Sequence, residues 1–363
     1  MSAPTLAQRV ASLVRPEIRA LSAYHVPPAS GLLKLDAMEN PYQWPAELKQ
    51  QWLEILSQVG INRYPDPGAA AVKAGLRQLM GIGEQYDLLL GNGSDEIIQL
   101  LALAMTAPGR TILAPEPSFV MYRMIATFVG MEYVGVPLDA EFDLDLDAML
   151  AAVRSHQPAL IFLAQPNNPT GNLFSVAKIR AIIEAADGLV VVDEAYTAFT
   201  DADSLALLDE YPNLVIMRTL SKVGLAGLRL GLLIGHPAWL GELDKLRLPY
   251  NINVLTQASA VFALANFAVL KAQTQQLRED RGLLAAALAQ IDGLQLWPSE
   301  ANFVLVRTPA GRARAIFEGL KRDGILIKLL DGSHPALRDC LRLTVSSGSD
   351  NQRLLASLAA QLA

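Results

Sequence analysis

Lys222 stands in Thr219-Leu220-Ser221-Lys222-Val223-Gly224-Leu225-Ala226-Gly227-Leu228-Arg229, shortly after an apolar run at 214–217 and among hydroxyls, glycines and one arginine. An amine attacks a carbonyl carbon only when unprotonated, and burial beside another cation lowers a lysine pKa from its ordinary value of about 10.4. The surroundings of Lys222 therefore read as those of a Schiff-base lysine. Alone the pattern is weak, but two strand-end motifs stand before it. Asp193-Glu194-Ala195-Tyr196 follows the apolar run 189–192, and Gln165-Pro166-Asn167-Asn168-Pro169-Thr170-Gly171 follows 160–163.

A carboxylate carried into a cleft at a strand end, as Asp193 is, is tolerable when a cation pairs with it. A protonated pyridine nitrogen would serve, and the pairing would keep the ring an electron sink. Tyr196, three residues on, offers a phenol to a ring oxygen, and Asn168 offers an amide donor from the neighbouring strand end. Gly91-Asn92-Gly93-Ser94-Asp95-Glu96 lies between a strand and a helix, so its amides form an anion cradle, with Ser94 or Asp95 expected to cap the helix. It is neither a Walker loop nor a G-x-G-x-x-G fingerprint, since Glu96 takes the place of the third glycine. Arg229 suits a bidentate phosphate grip together with Ser221 or Thr219. Phe119, just past the strand ending at Ala114, is placed to stack on a ring. Each feature taken singly has an ordinary structural explanation, such as a turn, a cap, a surface arginine or a core aromatic. Together they supply a phosphate cradle, a ring platform, two donors, a pyridinium partner and an amine.

From 87 to 235 short apolar runs alternate with helical stretches, which is the rhythm of βαβ units. The fold class expected is α/β, a large domain whose mostly parallel sheet is covered by helices on both faces, plus a smaller α+β domain. Ligands then bind beyond the carboxyl ends of the strands, where the motifs lie. The expected divisions are an N-terminal arm and helix over 1–40, packing on the small domain or a partner subunit, a large domain over 41–250 and a small domain over 251–363. At 363 residues the chain exceeds the size at which single cores divide.

The formal net charge is -6, without a basic run, which disfavours nucleic-acid binding and points to small-molecule partners. One cysteine, Cys340, and four histidines give no disulfide and no metal-ligand spacing, so no metal is expected and a reducing, cytoplasmic compartment is. Residues 1–21 carry charges that interrupt any signal-peptide core. The uncharged stretch 249–270 approaches membrane-span length, but its asparagines and its alternation of small and bulky residues read as a buried helix.

The ordered motifs GNGSDE, PEPSFVMY, QPNNPTG, DEAYTAF and TLSKVGLAGLRLG resemble the fold-type I pyridoxal-phosphate aminotransferases over nearly the whole chain. Within them the chain looks like the histidinol-phosphate aminotransferases. This narrower likeness rests on Leu35-Asp36-Ala37-Met38-Glu39-Asn40-Pro41, close to that family's LDANENP, on Asn62-Arg63-Tyr64-Pro65, on Leu248-Pro249-Tyr250-Asn251 and on Cys340-Leu341-Arg342-Leu343-Thr344-Val345. The resemblance implies pyridoxal 5'-phosphate as cofactor, with Lys222, Asp193 and Tyr196 catalytic. Cofactor contacts are implied from Gly93, Ser94, Asp95, Phe119, Asn168, Thr219, Ser221 and Arg229.

It further implies a homodimer with a shared site, in which Tyr64 reaches the cofactor of the neighbouring subunit. Substrate contacts are implied from Tyr24, Asn40, Tyr250, Lys328 and Arg342. Lys328 departs from the arginine many members carry there and lacks its planar fork. The expected reaction exchanges an amino group between L-histidinol phosphate or imidazole-acetol phosphate and glutamate or 2-oxoglutarate, in histidine biosynthesis. An aromatic or general 2-oxo-acid aminotransferase, or a threonine-phosphate decarboxylase, would share the fold. A cofactor-binding sensor module is disfavoured by the lack of a basic stretch.

Overall fold

The computed structural model describes residues 4–23 and 26–362. Twelve strands run in chain order among the described residues: β1 (Leu33–Leu35), β2 (Asp87–Asn92), β3 (Thr111–Glu116), β4 (Glu132–Pro137), β5 (Leu160–Ala164), β6 (Leu189–Asp193), β7 (Leu214–Thr219), β8 (Leu230–Gly235), β9 (Gln295–Leu296), β10 (Phe303–Arg307), β11 (Ile325–Leu329) and β12 (Cys340–Thr344). Seven of them form one sheet in the order β2-β8-β7-β6-β5-β3-β4. Only β8 runs against its neighbours β2 and β7, and the remaining pairings are parallel.

The central strands are apolar along their length because helices cover both faces. Val190 and Val192 pack into one hydrophobic cluster, while Leu189 and Val191 pack into another on the opposite face. That leaves the polar ends as the places where function can be carried. Asp193 is the last residue of β6, and Thr219 is the last of β7.

The second sheet has five strands in the order β1-β11-β12-β10-β9. Its first member comes from the N-terminal segment, with Leu35 paired in parallel register with Ile327. The expected division at 250 also shifts. Ala260 and Ala263, on the helix Val254–Ala265, belong to the large-domain core. The long helix Phe267–Leu288 bridges both cores, with Leu270 in the first and Leu277 in the second. The helix Val254–Ala265 is therefore apolar because it is buried against protein. Among the described residues no single helix is long and apolar enough to cross a membrane.

Candidate active site

Ten residues singled out from sequence line one cavity between the strand ends and the N-terminal segment: Ser94, Asp95, Phe119, Asn168, Asp193, Tyr196, Thr219, Ser221, Lys222 and Arg229. Lys222 sits in a tight turn over Ser221–Leu225, and its amine donates to the carbonyl of Ala37 at 3.0 Å. Burial, then the positive charge of Arg342, lowers its pKa to about 8, with Arg229 adding to the effect. Gly224 gives the turn its shape with φ of 113°, and a Cβ there would meet the Asn40 amide at 2.9 Å.

Asp193 is buried, with Oδ2 accepting from the Tyr122 hydroxyl at 2.6 Å and Oδ1 accepting from the Ala195 amide at 3.1 Å. Burial raises its pKa to about 6 against the opposing effect of those two hydrogen bonds. No ion pair to Asp193 occurs among the described residues. Directly beneath it, Glu194 pairs with Arg218 at 2.6 Å, both buried, and Arg218 also reaches Asp203 at 2.8 Å. This pair locks the end of β6 to β7 below the cavity floor.

The helix Ser94–Met105 starts without a side-chain cap, which corrects the expectation that Ser94 or Asp95 closes it. Gly93 takes the cap position with φ of 78°, and a Cβ on it would lie 2.6 Å from the Arg229 guanidinium. Arg229 thus closes over the helix end, 3.5 Å from the Ser221 hydroxyl and 3.7 Å from Asp95. The Thr219 hydroxyl lies 3.0 Å from that of Ser221. An uncapped helix N-terminus flanked by two hydroxyls and an arginine suits a phosphate dianion.

Pyridoxal 5'-phosphate passes the test these groups set. The buried Asp193 carboxylate lacks a cation that a ring N–H would provide, and the open helix end provides for the phosphate. Lys222 provides the amine. The Asn168 amide donates to the Tyr196 hydroxyl at 3.1 Å, so the two donors expected to serve one ring oxygen converge. Phe119 lines the cavity and meets Tyr122 edge-on at 5.6 Å.

The residues expected on the substrate side are more scattered. Arg342 is buried in β12, donating to Asn168 Oδ1 at 2.5 Å and to the Asp36 carbonyl at 2.8 Å, opposite Lys328 in the strand register. The Asn40 amide is engaged by the Val223 carbonyl at 3.1 Å and by Gln273 at 3.0 Å, so Asn40 braces the Lys222 turn instead of lining the cavity. Tyr64 is 81% exposed and stacks on Tyr250 at 4.5 Å, also outside the cavity. Tyr24 lies outside the described residues.

Sequence reading missed Tyr122, the Glu194–Arg218 pair and the backbone carbonyls of 36–38. Tyr122 had a usable signal, standing three residues after Phe119 in the same motif, at the start of the helix Met121–Val129. The carbonyls had none, because any residue supplies one.

The Aminotransferase class I and II family model matches residues 30–358. A Nitrosococcus oceani protein named histidinol-phosphate aminotransferase 2 is 54% identical over 97% of this chain and 98% of its own length. A Chromobacterium violaceum protein named histidinol-phosphate aminotransferase is 53% identical, covering 96% of this chain and 98% of its own. The crystal structure of histidinol-phosphate aminotransferase from Sinorhizobium meliloti, in complex with pyridoxal-5'-phosphate, superposes with a TM-score of 0.86 at 26% identity, covering 97% of this chain and 98% of that one.

Proposed function

The chain belongs to the class I and II aminotransferases, and from that premise we propose that it uses pyridoxal 5'-phosphate to exchange an amino group between L-histidinol phosphate and 2-oxoglutarate. With glutamate as donor the exchange converts imidazole-acetol phosphate to L-histidinol phosphate and releases 2-oxoglutarate, and this reaction serves histidine biosynthesis. The observation that carries this reading is the joining of Lys222, Asp193 and the open helix end in one cavity. The names of relatives at 54% and 53% identity supply the substrate.

When bound, the cofactor supplies a carbonyl carbon open to amines and a protonated ring that withdraws electrons from the carbon losing its proton. The amides and hydroxyl at Ser94, with Ser221 and Arg229, would hold its phosphate. Asp193 would keep the proton on its ring nitrogen, and Tyr196 and Asn168 would face its ring oxygen. Lys222 Nζ, once free, takes the proton from the substrate Cα, a task suited to an amine with pKa near 8. Arg342 binds the anionic group of each amino substrate, and Lys328 adds positive charge beside it on β11. Glutamate donates first and its oxo acid leaves before the second substrate enters, which gives ping-pong kinetics.

The active form is a homodimer in which Tyr64 serves the partner's site. Exposed Ile61, Tyr64 and Leu248 support this, since Arg247 ties to the Pro67 carbonyl at 3.1 Å and brings the two segments together. The compartment is the cytoplasm, whose reducing conditions suit the buried thiol of Cys340.

The test compares kcat/KM for L-histidinol phosphate and L-phenylalanine with 2-oxoglutarate as acceptor. Preference for histidinol phosphate is expected. Preference for phenylalanine, or carbon dioxide release without consumption of an oxo acid, would replace the reading with an aromatic aminotransferase or a decarboxylase.

A further inference from the structure

After β1 the chain crosses from the small sheet to the Lys222 turn, and three successive carbonyls are used on the way. Asp36 O accepts from Arg342 at 2.8 Å, Ala37 O from Lys222 at 3.0 Å and Met38 O from Asn302 at 3.0 Å. The Met38 amide donates to the Thr344 hydroxyl at 3.2 Å, so residue 38 is clamped on both sides by buried partners.

Clamped in this way, Met38 has φ of 53°. Glycine reaches that region freely and asparagine with little strain, while an unbranched apolar side chain gains nothing locally from it. Of the seven non-glycine residues with positive φ among those described, only Met38 and Arg229 line the cavity. Arg229 closes the phosphate cradle. Backbone held against preference concentrates at ligand sites, so a methionine in this conformation calls for a ligand-side reason.

The position supplies that reason. Met38 is one residue from the carbonyl that receives the Lys222 amine and two from the one that receives Arg342, so a substrate reacting at Lys222 while held by Arg342 passes beside it. We infer that Met38 is a specificity-determining residue whose thioether forms the apolar wall against the side chain of the ring-bearing substrate, favouring it over the dicarboxylic amino donor. Sulfur against the edge of an aromatic ring is a favourable contact, while a carboxylate against it lacks a donor. The identity of the ring rests on the proposed function, and the wall does not.

Met38 also packs with Leu35, Tyr196 and Phe199, so a purely structural role is the competing explanation. Two unreactive ligands separate the two. One is 3-(imidazol-4-yl)propyl phosphate, which is histidinol phosphate without its amine, and the other is glutarate. Their dissociation constants are measured by calorimetry on the holoenzyme and on Met38→Asn and Met38→Leu. Asparagine at 38 should weaken the ring ligand by about 10-fold, the scale of a small apolar contact in a pocket. It should alter glutarate by less than about 3-fold, and leucine should restore most of the ring affinity. Equal weakening of both ligands by Met38→Asn, or no weakening of the ring ligand, would overturn the inference. If the wild type ignores the imidazole ligand and binds 3-phenylpropionate, the substrate assignment fails, and the Met38 wall is judged on the phenyl ligand by the same ratio.

Discussion

The two walls of the cavity are built differently. One is made of strand ends, with Asp193 closing β6, Thr219 closing β7 and the uncapped helix Ser94–Met105 following β2. Its residues are fixed by a sheet buried on both faces and by the Glu194–Arg218 pair beneath it. The other wall is made of the strap at 36–38, which Arg342 from the small sheet, Lys222, Asn302 and Thr344 hold through contacts far apart in the chain. On the proposed function, the wall that would hold the cofactor is thus a product of local sequence and the wall that would face the substrate a product of assembly. Substitutions should accordingly act on cofactor retention in the first and on substrate preference in the second.

The largest effect is expected at the centre of the first wall. Lys222→Ala should lower turnover on the order of 10⁶-fold, as loss of a covalent group does, with the folded state intact by circular dichroism. A loss of only a few fold would break the contrast at its root.

Next comes the support under that wall. Arg218→Ala leaves Glu194 as an uncompensated buried charge, and should cost about 3–5 kcal/mol in urea unfolding. A cost below about 1 kcal/mol would show that the strand ends need no such lock.

Asp193→Asn should act with opposite signs on two measurements. Because the folded pKa of Asp193 is raised to about 6, the folded chain binds this proton more tightly than the unfolded chain. The stability that proton brings is present below the ordinary carboxylate range and is lost as pH rises through about 6. The cofactor-free Asp193→Asn protein should therefore be more stable than wild type at pH 8, by an upper value of about 3 kcal/mol, with the gain shrinking toward pH 4. Its cofactor should dissociate more readily. Lower stability at pH 8 would contradict the assignment of Asp193 as a site-bound cost.

Tyr122→Phe removes one hydroxyl and keeps the ring stacked on Phe162 at 4.5 Å. Losing a hydrogen bond to a charged group should weaken cofactor affinity by about 10-fold. An unchanged affinity would leave Tyr122 as core packing alone. The smallest effect sharpens the contrast from the other side: Tyr64→Phe should weaken cofactor affinity only a few fold, and only in the dimer.

This difference between the walls also governs how much could be read from sequence. The run 189–192 announces a strand, and a strand end followed by Asp193 and Tyr196 announces where those side chains go, because alternation and chain direction are local properties. The same holds for Asn168, Lys222 and the cradle at Gly93. Asn40 was legible as a motif residue, while the partners of its amide, Val223 and Gln273, were not. The shift of the helix Val254–Ala265 into the large core has a similar cause. Its apolar face was evident, but the partner of that face was not. Positive φ at Met38 depends on Thr344 and Asn302, which no local pattern connects to it.

The most direct test is borohydride reduction of the yellow holoenzyme followed by peptide mass analysis. The cofactor should be fixed to the peptide at Lys222 Nζ and to no other, with Lys222→Ala yielding none. Fixation at another lysine, or a wild-type protein that takes up no cofactor, would contradict the account.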